Sequence, residues 1–153
     1  MKRWILALIV SLTFSGNSFS QTKMEDILRI SWDTNTDYVK GLFPNKSFAD
    51  RDVLNFHGFT FNDDVDSYHF EVGFLFSSDN KLIGKVLSHK KDNPEYFDRI
   101  YKYLREILLA KFGNNTSVGT FAGMEVSSWK LSTGEKVLLT NNGKSILLTI
   151  LKN

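Results

Sequence analysis

The sequence predicts an α+β domain. The expected architecture is an antiparallel sheet of about six strands in two meanders, with one long central helix and short N-terminal helices packed on one face. Three observations lead there. Residues 68–76 alternate aromatic or aliphatic side chains with other residues at the two-residue period of a strand. Residues 94–112 repeat apolar side chains at helical spacing between an Asn-Pro start and a Gly stop. Short turn clusters join the strand-like segments, Asn141-Asn142-Gly143 being the clearest hairpin signal.

The first twenty residues have the three-part layout of a secretory signal. Lys2 and Arg3 supply the positive start, Trp4 to Phe14 the apolar run, and Ser18-Phe19-Ser20 small residues at a cleavage point. The run is shorter than the roughly 20 residues a membrane-spanning helix needs. A mature chain starting at Gln21 and located in a bacterial periplasm or outside the cell is expected, so residues 1–20 are a signal peptide and 21–153 a single domain. No transmembrane span is expected. Neither is a lipid anchor, because the chain has no cysteine. The same absence rules out disulfides and leaves packing as the source of stability.

Lys23 to Ser31 reads as a short helix on Met24, Ile27, Leu28 and Ile30. Thr36 to Phe43 reads as another, capped by Thr34, Asn35 or Thr36, with Tyr38, Val39, Leu42 and Phe43 as its buried stripe and Pro44 as its stop. Asn45 to Asp52 reads as a polar loop. Leu54 to Phe61 reads as a strand and Asn62-Asp63-Asp64 as a turn. Tyr68 to Phe76 and Leu82 to His89 form the expected aromatic hairpin around Ser78-Asp79-Asn80. A three-residue loop sets Phe76 opposite Leu82, Phe74 opposite Gly84 and Val72 opposite Val86, a register in which a bulky ring sits over a glycine. Asp92-Asn93-Pro94-Glu95 starts the long helix, whose stripe is Phe97, Ile100, Tyr101, Leu104, Ile107, Leu108 and Phe112. Asn114 to Gly123 reads as a connector. Met124 to Leu131, Glu135 to Thr140 and Ser145 to Leu151 read as closing strands. The last is apolar on both faces, which places it inside the sheet.

Without residues 1–20 the chain carries 17 basic and 17 acidic side chains. That balance gives no electrostatic case for nucleic acid or for an anionic membrane surface. Thiol chemistry is excluded, and no serine stands in a Gly-x-Ser-x-Gly elbow. In the hairpin register above, His69 faces His89 with Glu71 two residues along the same face, so His69, His89 and Glu71 are the candidate metal ligands, of a type that suits zinc. The commoner reading is ordinary surface histidines, and no cofactor is expected. Asp63, Asp64 and Asp66 read as a solvated turn rather than a calcium loop. Trp32 and Trp129 have the chemistry to stack on a sugar ring. Trp129, between Val126 and Leu131, fits a core position better.

The stretch Trp32-Asp33-Thr34-Asn35-Thr36-Asp37-Tyr38-Val39 is similar to a W-G-x-S-x-x-E-V opening, with Asp33 where that pattern has glycine. With the hairpin Phe70 to Val86, the helix end Lys111-Phe112-Gly113, Trp129 and the closing strands, it resembles small exported bacterial α+β domains. Among these are the SmpA/BamE outer-membrane assembly family and beta-lactamase-inhibitor-protein-like domains. The resemblance implies a binding or scaffolding domain with no catalytic residues. The expectation is therefore an exported, non-enzymatic domain that binds another protein or an envelope component through its sheet surface or edge. The alternative expectation is a carrier of a lipid or other apolar small molecule, held between helix and sheet.

Overall fold

A computed structural model describes residues 21–53, 56–114 and 117–152. The expected signal segment, the strand start at Leu54 and part of the 114–123 connector (115 and 116) lie outside those residues. Two short helices lead: α1 (Met24–Arg29) and α2 (Thr36–Leu42). Four strands follow: β1 (Ala49–Val53), β2 (Phe56–Val65), β3 (Tyr68–Phe76) and β4 (Leu82–Lys90). After the long helix α3 (Pro94–Phe112) come β5 (Ser117–Phe121), β6 (Met124–Lys130), β7 (Lys136–Asn141) and β8 (Ser145–Leu151). The strands make one antiparallel sheet in the order β1-β2-β3-β4-β8-β7-β6-β5. Two four-stranded meanders thus meet at a central β4–β8 ladder.

The expectation of about six strands is corrected to eight. The added strands are β1 and β5, read from sequence as loop and connector. Both are edge strands, and β5 is exposed at every position. An edge strand has water on one flank, and neither carries the apolar alternation that marks a strand. The Asn62-Asp63-Asp64 turn is also corrected. β2 continues to Val65, and the chain reverses at Asp66 and Ser67, both left-handed at φ 48° and 73°. Tyr38 is exposed rather than part of the α2 stripe.

The β3–β4 register differs by one residue from the expected one. Phe76 does pair with Leu82, but an irregularity between Leu75 and Phe76 follows, so that Leu75 pairs with Gly84, Phe74 with Lys85 and Val72 with Leu87. Ile83 is the extra residue of a bulge. A bulky side chain does sit over Gly84, but it is Leu75, on the opposite face from the one expected.

Helix boundaries follow local chemistry. The Asn35 side chain accepts from the Tyr38 amide and caps α2, and Asn93 caps α3 through the Tyr96 amide at 3.1 Å, with Pro94 in the first turn. Gly113 ends α3 at φ 73°.

The core lies between the helices and one sheet face. Phe59, Phe61, Val72, Phe74 and Phe76 of the first meander are buried with Met24, Ile27, Val39 and Phe43. Rings pack closely there, with Phe43–Phe61 centroids 4.8 Å apart and Phe59–Phe74 5.6 Å. On the same face, towards the second meander, Phe97, Ile100, Leu104 and Leu108 of α3 are buried with Leu87, Ile146, Leu148, Val137, Leu139 and Trp129. Trp129 is a core residue, its Nε1 donating to the Gly113 carbonyl at 3.0 Å.

Gly58 is the most crowded of the strand glycines, for an added Cβ there would lie 2.5 Å from the Phe74 carbonyl oxygen and 2.9 Å from Leu75 Cδ2. At Gly119 nothing lies within 4 Å of that position. Gly58→Ala is expected to cost about 1–3 kcal/mol of unfolding free energy, the usual range for overpacking. Gly119→Ala is expected to leave stability unchanged. Denaturant titration of both variants checks this, and equal effects would refute the account of β2–β3 packing.

Candidate functional site

The expected histidine pair does not form, and the register explains why. Glu71 pairs with Ser88, which continues to set His89 opposite Phe70 rather than His69. The His89 ring therefore turns to the helix side, against Phe70, Tyr96 and Phe97 at centroid distances of 6.3, 5.5 and 6.2 Å. It is buried, and its Nδ1 donates to the His69 carbonyl at 2.9 Å. His69 is exposed and pairs with Asp64 at 3.0 Å. Glu71 accepts from Ser88 Oγ at 3.3 Å and lies 3.6 Å from Arg51. His69, His89 and Glu71 do border one hollow of about 330 Å³ with Asn62, Lys90 and Asp92. Their ligating atoms do not converge, and no cluster of three metal-ligating side chains occurs among the described residues.

The acidic residues at the end of β2 and in the turn after it have structural work instead. Asp66 accepts from the Met24 amide at 3.1 Å and from the Tyr103 hydroxyl at 2.6 Å. Asp63 accepts from Thr22 and pairs with Lys46. Asp66 thus puts negative charge at the positive end of α1. The other end of α1 is held by Lys85, a buried lysine in β4. Its Nζ donates to the Leu28 carbonyl at 2.9 Å and to the Ile30 carbonyl at 2.7 Å, and lies 4.3 Å from the Trp32 ring centroid. Trp32 Nε1 donates to Glu135 at 3.0 Å. A six-residue helix is too short to persist alone, so α1 exists because both ends are clamped by charges of the right sign.

Burial lowers the Lys85 pKa to about 8, against a smaller opposing effect of Glu135. Sequence reasoning missed Lys85 because the slipped register put it on the wet face. Burial also raises Tyr101 to about 12, helped by Glu125, and burial with Asp66 raises Tyr103 further. Both tyrosines are thereby held as neutral phenols at neutral pH.

The surface with unassigned chemistry is the other face of the sheet. Ladder partners share a face, so Leu75, Val86, Thr149 and Leu138 lie opposite the helix-covered side, as do Leu147, Leu151 and Val126. The helix contacts described above all reach the first face. Leu147 is 36% exposed, and Leu75, Val86, Val126, Leu138 and Leu151 are half-buried. Phe56 and Phe121, both exposed, extend this face at its two flanks. The sequence signal for it was the two-sided apolar pattern of Ser145 to Leu151. That pattern placed β8 inside the sheet, where the strand order has it, but a strand apolar on both faces also implies cover on both, and the described chain covers one.

Compared with protein-family models, curated proteins and solved structures, the chain matches none. No described helix is long and apolar enough to cross a membrane.

The shifted lysine makes a stability test. A lysine whose folded pKa is depressed binds fewer protons folded than unfolded between that value and its ordinary 10.5, so stability rises with pH across that window. Tyrosines with raised pKa act oppositely once unfolded tyrosine ionises, above about pH 10. Unfolding free energy is expected to rise from pH 8 towards 10 and fall beyond it. Lys85→Met should flatten the rising limb, and an unchanged slope in that variant would show that Lys85 is not the group responsible.

Proposed function

We propose that this protein is an exported, non-enzymatic binding domain whose uncovered sheet face docks a protein partner in the bacterial cell envelope. The observation that carries the reading is the aliphatic patch of Leu75, Val86, Leu138, Leu147 and Leu151 on the central strands, on the side away from the helices. Contiguous apolar surface rimmed by polar groups is what protein interaction sites offer. The rim here is mixed, with Arg51, Glu71 and Lys136 among its charges.

Two further features support it. Buried Lys85, half-buried Asp66 and the Nδ1 of buried His89 are engaged with backbone or neighbouring side chains in structural roles. The space between α3 and the sheet is filled by Phe97, Ile100, Leu104 and Leu108, each at most 2% exposed, which favours a binding face over an internal carrier pocket. Export rests on the signal layout of residues 1–20. A chain cut after Ser20 keeps Thr22 and its bond to Asp63 intact. A binding role also agrees with the resemblance carried by residues 32–39.

A photocrosslinking side chain at position 147 in cells is expected to give a discrete protein adduct, whereas the same probe at Lys102 on the outer face of α3 gives none. Absence of an adduct at 147, or equal adducts at both positions, would refute the docking face.

A further inference from the structure

We infer that the first occupant of the uncovered sheet face is a second copy of this chain, paired face to face so that two eight-stranded sheets form the inside of a four-layer dimer with helices outermost. The inference deepens the docking-face reading and rests on it.

Size is the first argument. Eight strands at about 4.8 Å spacing and about six residues of each give a face roughly 38 Å by 20 Å. Mutual cover would bury about 700 Å² per copy, or about 1,400 Å² in all, within the range of stable interfaces. Pairing at an edge strand such as β5 would bury far less.

Chemistry is the second. The aliphatic side chains gather around β4 and β8, the middle of the strand order, with Val86 paired to Thr149 and Leu138 paired to the same Thr149 from the other side. A half-turn about an axis through that middle lays apolar centre on apolar centre, as an isologous interface requires. Leu75 lies over both Gly58 and Gly84, where added Cβ atoms would approach it to 2.9 and 3.1 Å. It therefore closes the troughs those glycines would leave and gives a surface another sheet can rest on. Sheets packed this way sit about 10 Å apart with strand directions within about 30°.

Charge is the third. Residues 21–153 carry equal numbers of basic and acidic side chains, so two copies meet without net repulsion. The rim holds both signs, and Arg51 and Glu71 already lie 3.6 Å apart within one copy.

Sedimentation of the chain from Gln21 to Asn153 across a wide dilution series tests the pairing. The expected result is a particle of twice the chain mass that dissociates on dilution. Leu147→Glu should weaken association by about tenfold or more while leaving the circular dichroism spectrum unchanged, and Lys102→Glu should leave association intact. A single-chain mass at every concentration, or a dimer indifferent to Leu147→Glu, overturns the pairing. In the first case an adduct from position 147 to a different protein would leave the docking face standing without self-association. If Leu147→Glu unfolds the chain, Thr149→Arg on the same face replaces it with the same expectation and the same contrary result.

Discussion

The ladder between β4 and β8, Gly84 to Lys90 against Ser145 to Leu151, joins two meanders that the chain builds separately on either side of α3. Ladder partners share a face. Lys85, Leu87 and His89 therefore fix which side of β8 carries Ile150, Leu148 and Ile146, and through β8 which side of β7 carries Val137 and Leu139. Once that pairing is set, α1 and α2 over the first meander and α3 over the second must pack on the same side. The uncovered face is the direct consequence. It is also why a chain with no disulfide has one continuous core rather than two small ones.

Charge placement completes the helical layer. α1 is six residues long, and its two ends meet Asp66 and Lys85, from the β2–β3 turn and from β4. Each charge opposes the partial charge of the helix end it meets. Lys85 is buried at a cost, shown by its lowered pKa, and its return is to satisfy two carbonyls that would otherwise face the core unpaired. Trp32 covers the ammonium, and Glu135 holds Trp32, so the N-terminal segment is tied to both meanders.

Much of this was legible in the sequence where burial is one-sided. The α3 stripe, its Asn93 and Gly113 ends, the Asn-Gly hairpin and the bounds of β8 all follow from local patterns that tertiary packing reinforces. The edge strands were not legible, because Ala49–Val53 is charged and Ser117–Phe121 is exposed throughout, so neither alternates. The bulge at Ile83 was invisible as well. Counting across the Ser78-Asp79-Asn80 turn gives one register, and one inserted residue turns every later side chain of β4 to the other face. That single residue separates His89 from His69 and sends Lys85 into the core. It thus dissolves the metal site suggested by residue types and creates the anchor that residue types did not suggest.

Native-state amide hydrogen exchange reads out whether the two meanders act as one structure through the β4–β8 ladder. Amides of β4 and β8 are expected to exchange together, slowest of all, with a free energy equal to that of global unfolding. Separate exchange of the β1–β4 and β5–β8 halves, with the ladder amides opening before either, would contradict this.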